Sequence, residues 1–478
     1  SILDYWNHVC PFIINHIQNS MIDISNINNI EWKNTKISVL GAGKSGLAVT
    51  NLALSVGAHV LISEFGDSIN ITKTQNLELE MGGHSDKILD SDVIIISPGI
   101  SDKIEIVQKC KSLHIPIVSE IEFSSWFTTS PILAITGSNG KTTTTSLLYK
   151  MVKSAGHNAM LGGNIGIPFS QNVRAERELD QTNIVHILEL SSFQLEHIEL
   201  FSPHISCILN ISPDHMNRYD SMNDYLDAKL NIAKNLVTPA WLVYNAADPA
   251  LETSLRDRHR TQLFSRLTNQ QVNYHVNGEK VYCGSIEDPK ILFYMNETDL
   301  KGHHNIENII AAATMANLFG IDDSHIGDAI KKFNALEHRM EPIESPLPLN
   351  FINDSKATNI ASTMAAINSF ENITLILGGK DKGETDFSEL LESMKNRVKY
   401  IICYGDAGKS INSHISNHHD SHVIYNFTDA IMKAVEVSDD GATILLSPAC
   451  ASFDQFSNFE MRGNRFKELV ENFGEIHE

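Results

Sequence analysis

The run Gly137-Ser138-Asn139-Gly140-Lys141-Thr142 is built to hold phosphate. It follows the apolar stretch Ile132-Leu133-Ala134-Ile135-Thr136 and opens a helical pattern that continues through Met151. In such a strand-to-helix turn, backbone N–H groups converge on phosphate oxygens and the helix N-terminus adds partial positive charge. Lys141 would reach the β- and γ-phosphates, and the Thr142 hydroxyl would meet Mg²⁺. The spacing departs from the common phosphate loop, because Ile135 stands where that motif has its first glycine. An ordinary strand-to-helix turn is the alternative.

A second glycine run, Gly41-x-Gly43-x-x-Gly46, also follows an apolar strand and opens a helix. Glu64 ends the next strand, near the offset expected for a dinucleotide site. Three readings stay open for this loop: NAD binding, a purely structural turn, or the nucleotide diphosphate of another ligand.

The elements that must position these loops follow from periodicity. From Lys36 onward, short apolar runs alternate with helical stretches, which predicts parallel α/β sheets. Strands are expected over Ile37–Leu40, His59–Ser63 and Asp92–Ser97, then Ile132–Thr136, Ile184–Leu190 and Ile205–Asn210. A last set is expected over Leu349–Asn353, Ile373–Leu377, Tyr400–Tyr404 and Ala442–Ser447. The chain therefore divides into three expected α/β domains. These are an N-terminal Rossmann-like nucleotide-binding domain (1–129), a central P-loop ATPase-like domain (130–335) and a C-terminal Rossmann-like domain (336–478). Residues 1–30, rich in Asn and Ile, read as a weak helix and a turn-prone lead-in with no assigned role.

Composition narrows the function. The chain has 478 residues, enough for two or three domains, and a formal net charge of −21. No basic run offsets that charge, so nucleic acid is not an expected partner. Six cysteines, scattered and without a Cys-x-x-Cys pair, argue against a disulfide framework or zinc site and for a reducing cytosol. No apolar run is long enough to span a bilayer, and the first Lys or Arg is Lys33, unlike the basic start of a signal peptide. A cytoplasmic protein without a membrane partner is the expectation.

Six stretches occur in a telling order. They are Thr136-Gly-Ser-Asn-Gly-Lys-Thr142, Glu189-Leu-Ser-Ser-Phe-Gln-Leu195, Asp214-His215, His304-Asn305-x-x-Asn308, His338-Arg339 and Asp354-Ser-Lys-Ala-Thr-Asn359. Together they resemble the Mur ligases, ATP-dependent amide ligases of peptidoglycan synthesis, from about Lys36 to the C-terminus. Within that family, the Glu189 run, Asn353–Asn359 and Ser447-Pro-Ala-Cys-Ala-Ser-Phe-Asp-Gln-Phe456 look like the branch that adds D-glutamate.

The resemblance implies a reaction and a set of residues. ATP would phosphorylate the carboxylate of UDP-N-acetylmuramoyl-L-alanine, and the amine of D-glutamate would attack the acyl phosphate. Lys141, Glu189, His215 and Lys229 would be catalytic. ATP would be bound by Gly137, Ser138, Asn139, Gly140, Lys141, Thr142, Thr143, Asn305, Asn308, Arg339, Asp354 and Lys356. Gly43, Lys44, Ser45, Ser63, Asn164 and His215 would take the UDP-linked substrate. Thr358, Lys382, Ser452, Phe453 and Phe459 would take D-glutamate. Two Mg²⁺ ions would be held by Thr142, Glu189, His215 and a carbamylated Lys229. A monomer is expected.

Residue patterns alone say less. Lys229 flanks the helical stripe Met222, Leu226, Leu230 and Ala233, where a solvated lysine is the ordinary outcome. Asn305 and Asn308, three apart, face one side of a helix, where a helix cap is the plain alternative. Arg339 just past the second boundary could reach phosphate only when domains close. Other ligases of this chemistry, an NAD-dependent oxidoreductase and a non-catalytic ATP-binding module are the competing readings.

Overall fold

A computed structural model describes residues 22–179, 183–214, 216, 218–258, 261–264, 274–284, 288–298, 300, 302–333, 336–381 and 385–473. Four sheets are present among them.

The first holds β1 (Lys36–Leu40), β2 (His59–Glu64), β3 (Leu77–Met81), β4 (Val93–Ile96) and β5 (Ile117–Ser119). Its order is β3-β2-β1-β4-β5, and every pairing is parallel. The order reverses between β1 and β4, and ligands of such sheets gather beyond the strand ends at that point. Helix α1 (Lys44–Ser55) starts from the glycine loop after β1. The short helix α2 (Glu120–Ser125) follows β5 and is capped by the Ser119 hydroxyl.

The second sheet holds β6 (Ile132–Thr136), β7 (Asn158–Gly163), β8 (Ile184–Glu189), β9 (Ile205–Ile208), β10 (Trp241–Asn245) and β11 (Thr261–Phe264). It is also all parallel, in the order β11-β10-β9-β6-β8-β7. Helix α3 (Lys141–Ser154) leaves the phosphate loop after β6, and α4 (Phe169–Leu179) follows β7. A single-turn helix α5 (Ser192–Leu195) follows β8, held by a capping box between Ser191 and Gln194. Helix α6 (Met222–Leu230) gives way to a 3₁₀ turn at Asn231–Ala233. A small antiparallel sheet, β12 (Tyr274–Asn277), β13 (Lys280–Cys283) and β14 (Lys290–Tyr294), precedes helix α7 (His303–Leu318). Periodicity gave no sign of that sheet.

The fourth sheet runs β15-β16-β20-β17-β18-β19. Its members are β15 (Glu341–Ile343), β16 (Asn350–Asn353), β17 (Ile373–Gly378), β18 (Val398–Tyr404), β19 (Asp420–Ile424) and β20 (Thr443–Ala449). Only the edge pairing of β15 with β16 is antiparallel. Helices α8 (Ile360–Ile367) and α9 (Phe459–Glu471) flank the loops that matter below.

The central strands, such as β4, β6 and β17, are near-continuous buried apolar runs, as sheets covered on both faces require. The first two sheets do not have separate cores. Val49 and Leu52 of α1 belong to one apolar cluster with Phe169 and Val173 of α4, Leu195 and Phe201. Residues just after the described N-terminus join it. Ile22, Ile24 and Trp32 pack on the cluster, and Trp32 lies 5.6 Å from Phe123 and 5.0 Å from Phe127. These residues tie the start of the described chain to the aromatic face of α2. The third domain keeps two clusters of its own.

Candidate functional site

The phosphate loop sits at the C-terminal end of β6, with β8 and β9 on either side. Gly140 takes φ +80° as the residue before α3, and a Cβ there would lie 2.1 Å from Asn308 Oδ1. Only glycine allows the loop to approach α7 so closely. Asn308 Oδ1 accepts from Thr144 Oγ1 at 3.3 Å, and Asn308 Nδ2 donates to Asn305 Oδ1 at 3.3 Å. Both asparagines are buried.

Lys141 folds back on its own loop, donating from Nζ to Gly137 O at 2.8 Å and Ser138 O at 2.9 Å. Lys229 is 1% exposed, where sequence pattern suggested a solvated side chain. Its Nζ donates to Gly137 O at 3.0 Å and lies 4.5 Å from the Tyr225 ring centroid. Burial, with the Lys141 ammonium nearby, pushes the Lys229 amine well below the usual lysine range. Opposite stands Glu189 at the end of β8, 2% exposed. Asn164 Nδ2 donates to Glu189 Oε1 at 2.8 Å, while Glu189 Oε2 has no hydrogen-bond partner among the described residues.

The third domain meets this loop through the segment after β16. Lys356 Nζ donates to Thr142 Oγ1 at 2.7 Å and lies 5.1 Å from the Phe459 ring centroid. Burial, with Arg339 nearby, brings Lys356 down to about 8. Asp354 accepts from Ser447 Oγ at 2.8 Å and from the Met340 N–H at 3.2 Å, yet burial pushes it up to about 7. Asn359 Nδ2 donates to Asn139 Oδ1 and Asp214 Oδ2, each at 3.3 Å, and Ser362 Oγ donates to Asn139 Oδ1 at 2.7 Å. Arg462 of α9 is fully buried beneath the segment and donates to Ser355 O at 2.7 Å and to Ser355 Oγ at 2.9 Å.

Three cavities line up along these contacts. The largest, about 750 Å³, lies between α7 and the third domain and includes Asn305, Asn308, Arg339 and Asp354. Its apolar wall is formed by Leu300, Leu336, Met340, Pro342 and Ile352. His304 lines it too, and burial brings that imidazole down to about 4. The central cavity, about 640 Å³, draws on all three domains: Lys44 and Ser45, then Lys141, Thr142, Asn164 and Glu189, then Thr358, Asn359 and Phe459. The third, about 370 Å³, lies at the switch point of the first sheet, between Gly41–Ser45 and Ser97–Ile100.

Some expected residues fall elsewhere. Ser63 is fully buried, and its hydroxyl is taken by Glu80 Oε2 at 2.6 Å and His84 Nδ1 at 2.7 Å. It is His84 that lines the first-domain cavity. Ser452 and Phe453 are outside the central lining, Ser452 buried and Phe453 66% exposed. His215 and Lys382 lie outside the described residues. Glu64 turns its carboxylate onto the glycine loop, accepting from the Ala42 N–H at 2.6 Å and the Gly66 N–H at 3.1 Å. Those hydrogen bonds hold it below the usual carboxylate range. Asn359, Ser362, His84 and Arg462 were not foreseen. Asn359 closes a recognised motif, but nothing in the spacing marks a buried arginine inside an amphipathic helix.

Comparison with known proteins places the chain in a family. The MurD N-terminal domain matches residues 36–106, the Mur ligase middle domain 135–316, and the Mur ligase glutamate ligase domain 338–450. The UDP-N-acetylmuramoylalanine--D-glutamate ligase of Christiangramia forsetii is 39% identical over 448 residues, covering 91% of this chain and 99% of that protein. The enzyme of the same name from Elusimicrobium minutum is 39% identical over 461 residues, covering 92% and 98%. Among solved structures, the MurF ligase of Thermotoga maritima in complex with ADP superposes with a TM-score of 0.58 at 14% identity, covering 98% of this chain and all of that one. At that identity the likeness concerns the fold. Matches to all three domains, in order and nearly end to end, show that the chain belongs to the Mur ligase family.

Proposed function

We propose that this chain joins D-glutamate to UDP-N-acetylmuramoyl-L-alanine, with cleavage of ATP to ADP and phosphate. The observation that carries the reading is the central cavity, where the phosphate loop, the first glycine loop and the third-domain segment all present side chains to one space. A reaction that brings together a nucleotide, a UDP-linked acid and an amine needs such a meeting point. The relatives' names supply the substrates.

The 750 Å³ cavity suits the adenosine end of ATP, with an apolar wall for the base and Asn305 and Asn308 as polar groups. The triphosphate would extend along Gly137–Thr143 toward Lys141. The switch-point cavity suits the uridine diphosphate end of the second substrate, so the free carboxylate of its L-alanine would point to the centre past Lys44, Ser45 and Asn164. That carboxylate attacks the γ-phosphorus as the bond to ADP breaks. The amine of D-glutamate then attacks the acyl carbon, and phosphate leaves. Lys141, Lys356 and Arg339 would hold the transferring phosphoryl group by charge.

The oxygens on hand suit Mg²⁺, which requires hard donors. Glu189 Oε2 is buried and unpartnered, and Thr142 Oγ1 faces the same cavity. Among the described residues no group of three or more His, Cys, Asp or Glu side chains is gathered for a metal. The family resemblance assigns two ions to Thr142, Glu189, His215 and a carbamylated Lys229. A deprotonated amine, the form that burial of Lys229 favours, can add to CO₂, forming an N–C bond and releasing a proton, and so become an anionic carbamate. Mg²⁺, when bound, would neutralise phosphate oxygens and so lower the cost of bringing two anions together. Thr358 and Phe459 would line the amino-acid end, with Lys382, Ser452 and Phe453 supplied by neighbouring loops.

The test is ATP-dependent phosphate release measured against each UDP-muramoyl precursor paired with each candidate amino acid. Release is expected with UDP-N-acetylmuramoyl-L-alanine and D-glutamate together. Turnover only with another pair would overturn the substrate reading.

A further inference from the structure

The wall between the first-domain cavity and the central cavity is the loop Pro98-Gly99-Ile100. Pro98 lines both spaces, and Gly99 and Ile100 line the first-domain one. The loop packs directly on the glycine loop, where Ser97 Oγ donates to Gly41 O at 3.2 Å. Two carbonyls of the wall turn away from its own domain and are met by one side chain of the second. Arg218 Nη1 donates to Pro98 O at 3.0 Å, and Nη2 donates to Ile100 O at 3.2 Å.

That guanidinium is itself fixed on three sides. Glu196 takes it in a fork, with Nε to Oε1 at 3.1 Å and Nη2 to Oε2 at 2.5 Å. Tyr219 OH donates to Glu196 Oε1 at 2.6 Å, and the Phe193 ring lies 4.3 Å beneath the guanidinium carbon. A planar fork stacked on an aromatic ring has little freedom left, so the carbonyls it grips are held in place. Its supports belong to the segment that follows Glu189: Phe193 lies in α5, and Glu196 comes directly after it. A second fastening lies alongside, where His197 Nε2 meets Asp102 Oδ1 at 2.8 Å.

We propose that Arg218 is a positioning residue for the UDP-linked substrate. It ties the pocket wall to the segment behind Glu189, and so sets where the substrate's reacting carboxylate falls relative to the phosphate loop. The inference rests on the substrate reading above. Lysine cannot replace the fork, because one ammonium cannot serve both carbonyls and both carboxylate oxygens in these directions.

The experiment compares wild type, Arg218→Lys and Arg218→Met. Binding of UDP-N-acetylmuramoyl-L-alanine and of a non-hydrolysable ATP analogue is measured by calorimetry, and amide exchange is followed over residues 97–104. Both variants should bind the UDP-linked substrate at least tenfold more weakly. ATP-analogue affinity should stay within about twofold and the melting temperature should be nearly unchanged. Exchange over 97–104 should rise while exchange over 137–143 does not. Unchanged exchange over 97–104 overturns the proposal, as does equal loss of both ligands. If Arg218→Met does not fold, Arg218→Lys is judged by the same criteria. Wild type that fails to bind the UDP-linked substrate would sink the substrate reading instead, and the exchange comparison would still judge the tie.

Discussion

Lys229 shows how far a single side chain can depart from its sequence context. It stands beside an apolar stripe, where a solvated lysine is usual, yet it is buried under the phosphate loop with its amine on Gly137 O. Burial, and then the Lys141 charge nearby, lower the pKa of that amine well below the usual lysine range. Under the carbamate reading, activity should depend on dissolved CO₂. Rigorous CO₂ removal should lower the rate at least tenfold, with recovery on adding bicarbonate. Lys229→Met, which keeps the apolar stem, should be nearly inactive under both conditions. A rate indifferent to CO₂ would rule out the modification. Chain order made Lys141, Glu189, Asn305, Asn308, Arg339 and Asp354 legible, because each belongs to a run with a recognisable pattern. Ser63 does not line the first-domain cavity for a physical reason: a hydroxyl at a strand end can turn inward as readily as outward, and here Glu80 and His84 take it inward.

At the scale of elements, parallel strands with a glycine loop after the first are visible in any apolar–helical alternation, which is why the main sheets could be anticipated. The sheet β12–β14 could not, because its short strands, such as Tyr274–Asn277 and Lys280–Cys283, mix polar with apolar residues and form no long run. Close packing between elements also leaves little trace. Gly140 belongs to the phosphate-loop pattern, and its second task is to let α7 approach. Gly140→Ala would place a Cβ 2.1 Å from Asn308 Oδ1 and force a non-glycine residue to φ +80°, a conformation costing roughly 1–2 kcal/mol. Asn308 must move, so the Michaelis constant for ATP should rise about tenfold or more while that for the UDP-linked substrate changes little. Titration with both substrates checks this, and an unchanged ATP constant would contradict the packing argument.

The joint between α2 and α4 gives a pH-dependent counterpart. Glu120 is 2% exposed, accepts from the Ser170 N–H at 2.6 Å, and leaves Oε2 without a partner among the described residues. Burial raises its pKa. A carboxyl whose folded value is raised binds its proton more tightly when folded, so it costs nothing while protonated in both states. The cost appears as pH rises above the unfolded value near 4.3 and grows until the folded value is passed. Glu120→Gln keeps an acceptor for Ser170 and never ionises. Its melting temperature should match wild type near pH 4 and exceed it by roughly 2–4 °C at pH 8. A gain of equal size at both pH values would point away from ionisation.

For the whole molecule, the distribution of apolar contact decides what moves. The first two domains share one cluster running from Val49 and Leu52 to Phe169, Val173 and Phe201. Glu122 reinforces the joint by accepting the N–H groups of Glu199, Leu200 and Phe201 at 2.8–3.0 Å. The third domain has its own clusters and meets the phosphate loop through polar contacts, Lys356 to Thr142 and Asn359 and Ser362 to Asn139. Hydrogen bonds of this kind contribute about 0.5–1.5 kcal/mol each, far less than a shared core. The intact chain should therefore unfold in two calorimetric steps, one for the joined first and second domains and one for the third. A non-hydrolysable ATP analogue with Mg²⁺ touches both sides of the cleft, so it should raise both steps and draw them together. Ser362→Ala removes a contact across the cleft, to Asn139 Oδ1, and leaves the Asn359 cap of α8 in place. It should leave the two steps of the free chain in place and weaken their convergence with the analogue. Differential scanning calorimetry of both proteins, free and loaded, decides the matter: a single concerted transition in the free wild type would mean that the third domain is bound to the others far more tightly than its polar contacts allow.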